Sequence, residues 1–323
     1  PNWRGPSGQG VVEGSAYPDT WSDTENVLWK TPVPGIGHSS PIVWGNQIFL
    51  TTGYDGGTRM TLLSFDRGSG EQRWETAVPF DSREHIHTKN SHASATPVTD
   101  GELVFASFGH QGMMAVDFDG NLVWHNKIED LSNYHGSAGS PVLYEDEVII
   151  YQDHGGASFV AAFDKRTGDV VWRTKRDAGV GWGTPIVIDT GERDELIVSS
   201  QSRVRAYDPA TGDCSVYREN TNHTNGLAFD TEGRLYGCCS GGRSIVRFES
   251  DGSTTTIVDS LDGQPLNTPN DLAIDRQGRI WFSNPWNAAN IDPSEKQVNP
   301  QKDILRADPQ PDGSWTCRQM TFD

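Results

Sequence analysis

The segment Phe163-Asp164-Lys165-Arg166-Thr167-Gly168, leading to Trp172, decides how this chain reads. An apolar residue enters a turn, and the Asp side chain bonds the turn backbone. Gly supplies the positive φ, and a strand with an aromatic anchor leaves. The same punctuation occurs at Phe65-Asp66-Arg67-Gly68-Ser69-Gly70 before Trp74, and at Val116-Asp117-Phe118-Asp119-Gly120 before Trp124. It occurs again at Tyr207-Asp208-Pro209-Ala210-Thr211-Gly212. The four Asp residues are spaced 51, 47 and 44 positions apart. Asn26-Val27-Leu28-Trp29 repeats the closing strand alone, which predicts an extra outer strand near the N-terminus.

A second marker opens each unit. Ser40-Pro41, Thr96-Pro97, Ser140-Pro141 and Thr184-Pro185 each precede an apolar strand. Asn225-Gly226-Leu227 and Asn270-Asp271-Leu272 continue the series, at steps of 56, 44, 44, 41 and 45 residues. Four short strands per unit of about 45 residues is a propeller-blade signature. The expected fold is all-β: a β-propeller of about six four-stranded blades in one continuous ring. The alternative is two incomplete propellers from a longer parent.

Composition agrees. Only 34% of the 323 residues are hydrophobic, while Gly numbers 35 and Pro 18, which favours short strands and turns over helices. The formal charge of −18 repels phosphate backbones, so nucleic acid is not an expected partner. No stretch approaches the ~18 apolar residues of a membrane helix. Pro1 opens the sequence without Met or a signal-like run, which reads as a mature form or a fragment. Cys214, Cys238, Cys239 and Cys317 form no CxxC pair, so no zinc site is expected, and Cys238 and Cys239 read as two thiols.

Two idioms share the chain. The Ser-Pro and Thr-Pro strand starts, the Asp164-to-Trp172 turn and Asn2-Trp3-Arg4-Gly5-Pro6 resemble the quinoprotein-like, PQQ-repeat (BamB-like) propellers over roughly residues 1–212. The opening is similar to secreted bacterial members, which implies a periplasmic or secreted protein. Residues 203–323 are similar to the SMP-30/gluconolactonase family. The segments carrying that likeness are Thr224-Asn225-Gly226-Leu227-Ala228-Phe229-Asp230 and Leu266-Asn267-Thr268-Pro269-Asn270-Asp271-Leu272-Ala273-Ile274-Asp275. The expected division is 1–212 and 213–323.

The second resemblance implies metal-dependent lactone hydrolysis, with Ca²⁺ or another divalent metal and a small lactone or carbohydrate-derived ligand. It places Asn270 in substrate or metal contact, with Asp271 beside it as the other catalytic candidate. Asn225 takes the equivalent start one repeat earlier, as a substrate-binding candidate. The family's other metal residues come from segments with no counterpart here, so the site is expected to be incomplete in this sequence. His38, His92 and His154, near strand starts and second-strand ends, are candidate substrate-binding residues, with Lys89, Asn90, His110 and His135 nearby. Arg83 to Thr88 reads as a loop. PQQ itself is not expected, because six units are countable where quinoproteins use eight. The alternative function is a non-catalytic propeller that binds a protein or polysaccharide on its loop face.

Overall fold

The computed structural model describes residues 2–5, 8, 10, 18, 20–79, 84–128, 131, 133–200, 203–297 and 304–320, and in residues 203, 216 and 217 the backbone alone. Among the described residues, six four-stranded antiparallel sheets follow one another, each in simple sequence order. The first holds β1 (Ile42–Trp44), β2 (Gln47–Tyr54), β3 (Arg59–Asp66) and β4 (Gln72–Ala77). The second holds β5 (Val98–Thr99), β6 (Leu103–Ser107), β7 (Met113–Asp117) and β8 (Leu122–Asn126). The third holds β9 (Val142–Tyr144), β10 (Glu147–Gln152), β11 (Phe159–Asp164) and β12 (Val170–Lys175), and the fourth β13 (Ile186–Asp189), β14 (Asp194–Ser199), β15 (Arg203–Tyr207) and β16 (Cys214–Glu219). The fifth holds β17 (Thr224–Phe229), β18 (Leu235–Cys239), β19 (Ser244–Phe248) and β20 (Thr254–Val258). After a small hairpin, β21 (Ser260–Leu261) and β22 (Gln264–Pro265), the sixth holds β23 (Leu272–Ile274), β24 (Ile280–Ser283), β25 (Ile304–Pro309) and β26 (Trp315–Gln319). The fold is the all-β propeller that the repeat predicts.

The chain forms two compact units: residues 1–198 with 207–214, and residues 199–206 with 215–323. In the first, the central strands are buried on both faces, which explains their nearly unbroken apolar runs. Val104 and Ala106 of β6 pack toward Phe49, Met60 and Leu62 of the first sheet. Phe105, between them, packs the other way with Val148, Ile150 and Phe159 of the third. Ile149 and Val160 continue the stack against Leu196, Val198 and Tyr207. The second unit has its own core, where Tyr236, Cys238 and Ile245 meet Leu272, Ile280 and Phe282.

Both repeat markers turn out to be ties between successive sheets. The indole of Trp74 packs on Gly120 and donates to the Phe118 carbonyl at 3.0 Å. Trp124 does the same on Gly168, donating to Lys165 at 3.0 Å, and Trp172 on Gly212, donating to Pro209 at 2.9 Å. Two residues on, Thr76, Asn126 and Thr174 donate to the carbonyls of Gly120, Gly168 and Gly212. Each turn is itself closed by its Asp: Asp164 Oδ1 accepts from the N–H groups of Arg166 and Thr167 at 2.8 and 2.9 Å. At the other end, Ser40 N–H donates to the Thr96 hydroxyl, Thr96 N–H to Ser140 and Ser140 N–H to Thr184, at 3.0 to 3.2 Å. Thr96, Ser140 and Thr184, each before a Pro, are thus acceptors for the preceding unit.

One expectation fails. Asn26 to Trp29 do not form a strand. Trp29 nevertheless packs on Gly70 and donates to the Arg67 carbonyl at 2.9 Å, and Thr31 bonds Gly70. The indole dock survives without the ladder because it needs one side chain on a glycine turn. Cys238 and Cys239 are buried thiols with no disulfide between them, as read.

Candidate functional site

In the second unit the Ser/Thr relay gives way to backbone. Gly226 N–H donates to the Asn270 carbonyl at 2.8 Å, so the two asparagine-bearing strand starts lie side by side. A Cβ on Gly226 would stand 2.5 Å from Asp271 Oδ1 and 2.9 Å from the Asn270 carbonyl, so only Gly fits this approach. Asn225 lies where the β17–β18 register shifts, between Thr224 and Leu227, and such a bulge re-aims a side chain. Asn225 and Asn270 are both exposed. Neither side-chain amide has a hydrogen bond among the described residues.

The turn carrying Asn270 is rigid. Asn270 N–H donates to the Ser283 carbonyl at 3.1 Å, and Ser283 N–H to the Asp271 carbonyl at 3.0 Å. Farther out, Asn267 and Asn284 pair through 3.0 and 3.1 Å bonds, and Thr268 bonds Pro285 through backbone and hydroxyl. Buried Ser240 donates to the Pro269 carbonyl at 2.5 Å. The Leu266-to-Asp271 segment is therefore a continued hairpin that presents Asn270 at its edge. Asp271 is half-buried, and its Oδ1 accepts the Leu272 N–H at 2.9 Å, so it positions the strand start.

These residues do not fit a complete Ca²⁺ site. Ca²⁺ takes about six to eight oxygen ligands. Asn225 and Asn270 offer two exposed amide oxygens, and Asp271 Oδ1 is already engaged. Among the described residues no three His, Cys, Asp or Glu side chains group to hold a metal.

The candidate histidines of the first unit separate. His38 is exposed and tied through its backbone, whose N–H donates to Ala93 at 2.9 Å. His92 lines a cavity of about 410 Å³ with Ile36, Tyr54, Ile86 and Asn90. Its ring covers Gly57, and its Nε2 bonds the Glu84 carbonyl at 2.8 Å. His154 is buried, its Nδ1 accepting the Gly156 N–H at 3.1 Å.

Two features escaped the sequence. Arg176 and Asp153 form a fully buried ion pair, with Nε to Oδ1 at 2.7 Å and Nη2 to Oδ2 at 2.9 Å, and Arg176 also donates to the Tyr207 hydroxyl. Their separation of 23 residues hides the pairing in the sequence. Glu84 is the other. Burial pushes its carboxyl up to about 7, opposed by a bond from the His110 backbone.

With this geometry in hand, similarity to known proteins can be placed on it. Residues 20–213 match the family described as Outer membrane protein assembly factor BamB, and residues 143–321 match the SMP-30/Gluconolactonase/LRE-like region. The chain belongs to both families. The gluconolactonase-like match begins well before the change of idiom at Tyr207-to-Gly212, so the BamB-like and gluconolactonase-like segments overlap across the third and fourth sheets. BamB of Burkholderia pseudomallei (strain K96243) is 26% identical over 196 residues, 57% of this chain and 45% of that protein. The gluconolactonase of Zymomonas mobilis is 29% identical over 79 residues, 24% of this chain and 22% of that protein. The chain thus spans less than half of either relative. The crystal structure of BamB from Moraxella catarrhalis superposes with a TM-score of 0.52 at 15% identity, covering 81% of this chain and 73% of that one. It shares the fold.

Proposed function

We propose that the chain is an extracytoplasmic propeller whose gluconolactonase-like segment binds a sugar lactone or related sugar-acid ester at the Asn225–Asn270 edge. The observation that carries this is the pair of exposed amides, brought side by side by the Gly226–Asn270 bond and left without internal partners. An amide offers a donor and an acceptor, which suits a lactone carbonyl flanked by hydroxyls. The N–H of either Asn would polarise that carbonyl, as donors to a developing oxyanion do. Asp271 holds the strand start rather than touching ligand. Likeness to an outer-membrane assembly factor supports the extracytoplasmic setting.

Calorimetric titration with glucono-δ-lactone and gluconate tests the reading, with hydrolysis followed in the presence and absence of added Ca²⁺. Binding by the wild type that is lost in Asn270→Ala and Asn225→Ala supports it. No binding by the wild type overturns it. A second reading, a non-catalytic propeller docking a protein, is favoured by the outer strands. Val123, Val170 and Val171 are 45%, 51% and 49% exposed there.

A further inference from the structure

We propose that the first unit carries a separate binding site for acidic oligosaccharides, chains containing uronate sugars, on a platform of His85, His87, Lys89, Tyr134, His135 and Trp182. The proposal does not depend on the reading of the Asn225–Asn270 edge.

The rings form a connected cluster in which His87, Tyr134 and His135 all touch one another, tilted or edge-on at 48° to 80°. Tyr134 lies 6.4 Å from His85, 5.3 Å from His87 and 5.0 Å from His135, centroid to centroid. His135 lies 5.0 Å from His87 and 5.3 Å from Trp182. Tyr134 is 64% exposed, so part of its ring is open to a ligand. A pyranose has one face of C–H groups, and an aromatic face is its natural partner, since it covers apolar surface and leaves the equatorial hydroxyls free to hydrogen-bond.

The platform is built rather than incidental. The Asn90 side chain donates to the His135 carbonyl at 2.6 Å, and the Trp182 indole donates to the Gly136 carbonyl at 3.0 Å. A Cβ on Gly136, whose φ is +81°, would stand 2.4 Å from Ile86 Cγ2, so the two segments meet without room to spare. Lys89 N–H donates to His87 Nδ1 at 3.1 Å and orients that ring. These ties fix the His87 and Trp182 rings and the backbone under His135, which lowers the ordering cost of binding.

Charge selects the ligand. The sequence has 44 acidic residues against 26 lysines and arginines. Yet among the described residues, His85, His87, Lys89 and His135 have no carboxylate partner. Glu84, the neighbour in sequence, turns inward, toward Gly109 and the His110 backbone. Burial first, then the charges of His87 and Lys89, hold the His135 imidazole below its usual range. A carboxylate on the ligand would pair with the exposed Lys89 ammonium beside the rings. A polyphosphate carries denser charge and would meet the acidic remainder of the surface. One carboxylate per sugar, on a ligand with apolar ring faces, matches both halves of the platform.

The test is calorimetric titration of the whole chain with trigalacturonate, maltotriose and a short oligoglutamate peptide. Trigalacturonate should bind, with maltotriose and the peptide each roughly tenfold weaker or worse. Tyr134→Ala should weaken trigalacturonate roughly fivefold to tenfold, and Lys89→Ala should weaken it while leaving maltotriose unchanged. Both side chains are exposed, so the circular dichroism spectrum should not change. If Tyr134→Ala disturbs it, Lys89→Ala and His87→Ala carry the test. Absence of trigalacturonate binding, or wild-type affinity in the variants, overturns the proposal. Equal affinity for oligoglutamate overturns it in favour of an acidic peptide.

Discussion

Replacing Glu84 by Gln isolates one buried acid and makes stability pH-dependent in a calculable way. Glu84 Oε1 is buried with no hydrogen-bond partner among the described residues. Burial raises the carboxyl from 4.5 to about 7. The folded chain therefore holds this proton roughly 300-fold more tightly than the unfolded chain, worth about 3 kcal/mol. Between those two values the folded state binds more protons than the unfolded state, so stability falls as pH rises. The contribution is full below 4.5 and gone once pH has risen through about 7. Gln keeps the shape and carries no charge at any pH. Glu84→Gln should equal the wild type near pH 4.5 and exceed it by about 3 kcal/mol at about pH 8. Urea unfolding at three pH values measures this directly, since an unchanged slope would assign the difference to stability. A gain below about 1 kcal/mol at alkaline pH, or an equal gain at acid pH, would refute the buried-acid argument.

Asp153→Ala should cost about 3–5 kcal/mol by leaving the Arg176 guanidinium buried without its carboxylate, whereas the double change Asp153→Leu with Arg176→Met should recover most of the loss in chemical denaturation. Gly168→Ala should destabilise by at least about 1 kcal/mol, because φ is +76° and the new methyl meets the Trp124 ring at 2.6 Å; an unchanged thermal midpoint would sink the indole-on-glycine account. The Asp turns set the acid limit. Arg73 and the turn N–H groups lower the Asp66 carboxyl to about 2, and the N–H groups of Thr167 and Arg166 lower that of Asp164. Their stabilisation is present above 3.8 and drains as pH falls toward about 2, so the melting temperature should drop over that window and drop less steeply in Asp66→Asn.

The repeat was legible because its residues act locally or on the next sheet in sequence. Asp164 closes its own turn, Gly168 receives Trp124, and Thr96 receives the Ser40 N–H; each depends on the type of residue at a fixed step. The Asn270 turn was legible for the same reason, since its hairpin partners lie only 12 to 17 residues away. Which side chains then remain open was not. Nothing in Asn270-Asp271 says that the first amide faces solvent while the carboxylate is spent on Leu272 N–H. His38, His92 and His154 look alike in sequence and end exposed, packed on Gly57, and buried.

The sequence by itself therefore determined the blade: four strands, the Asp-Gly turn, the Trp that follows it and the Ser/Thr-Pro strand start, though not that the Trp docks on the next turn or that the Ser/Thr ties inner strands. Those residues recur with a period, and a period is visible in one dimension. Only the tertiary structure decided which unlike segments meet. Glu84 goes inward while His85 and His87 join Tyr134, His135 and Trp182, and Arg176 finds Asp153, because stacking successive sheets brings loops of different repeats together at distances no spacing encodes.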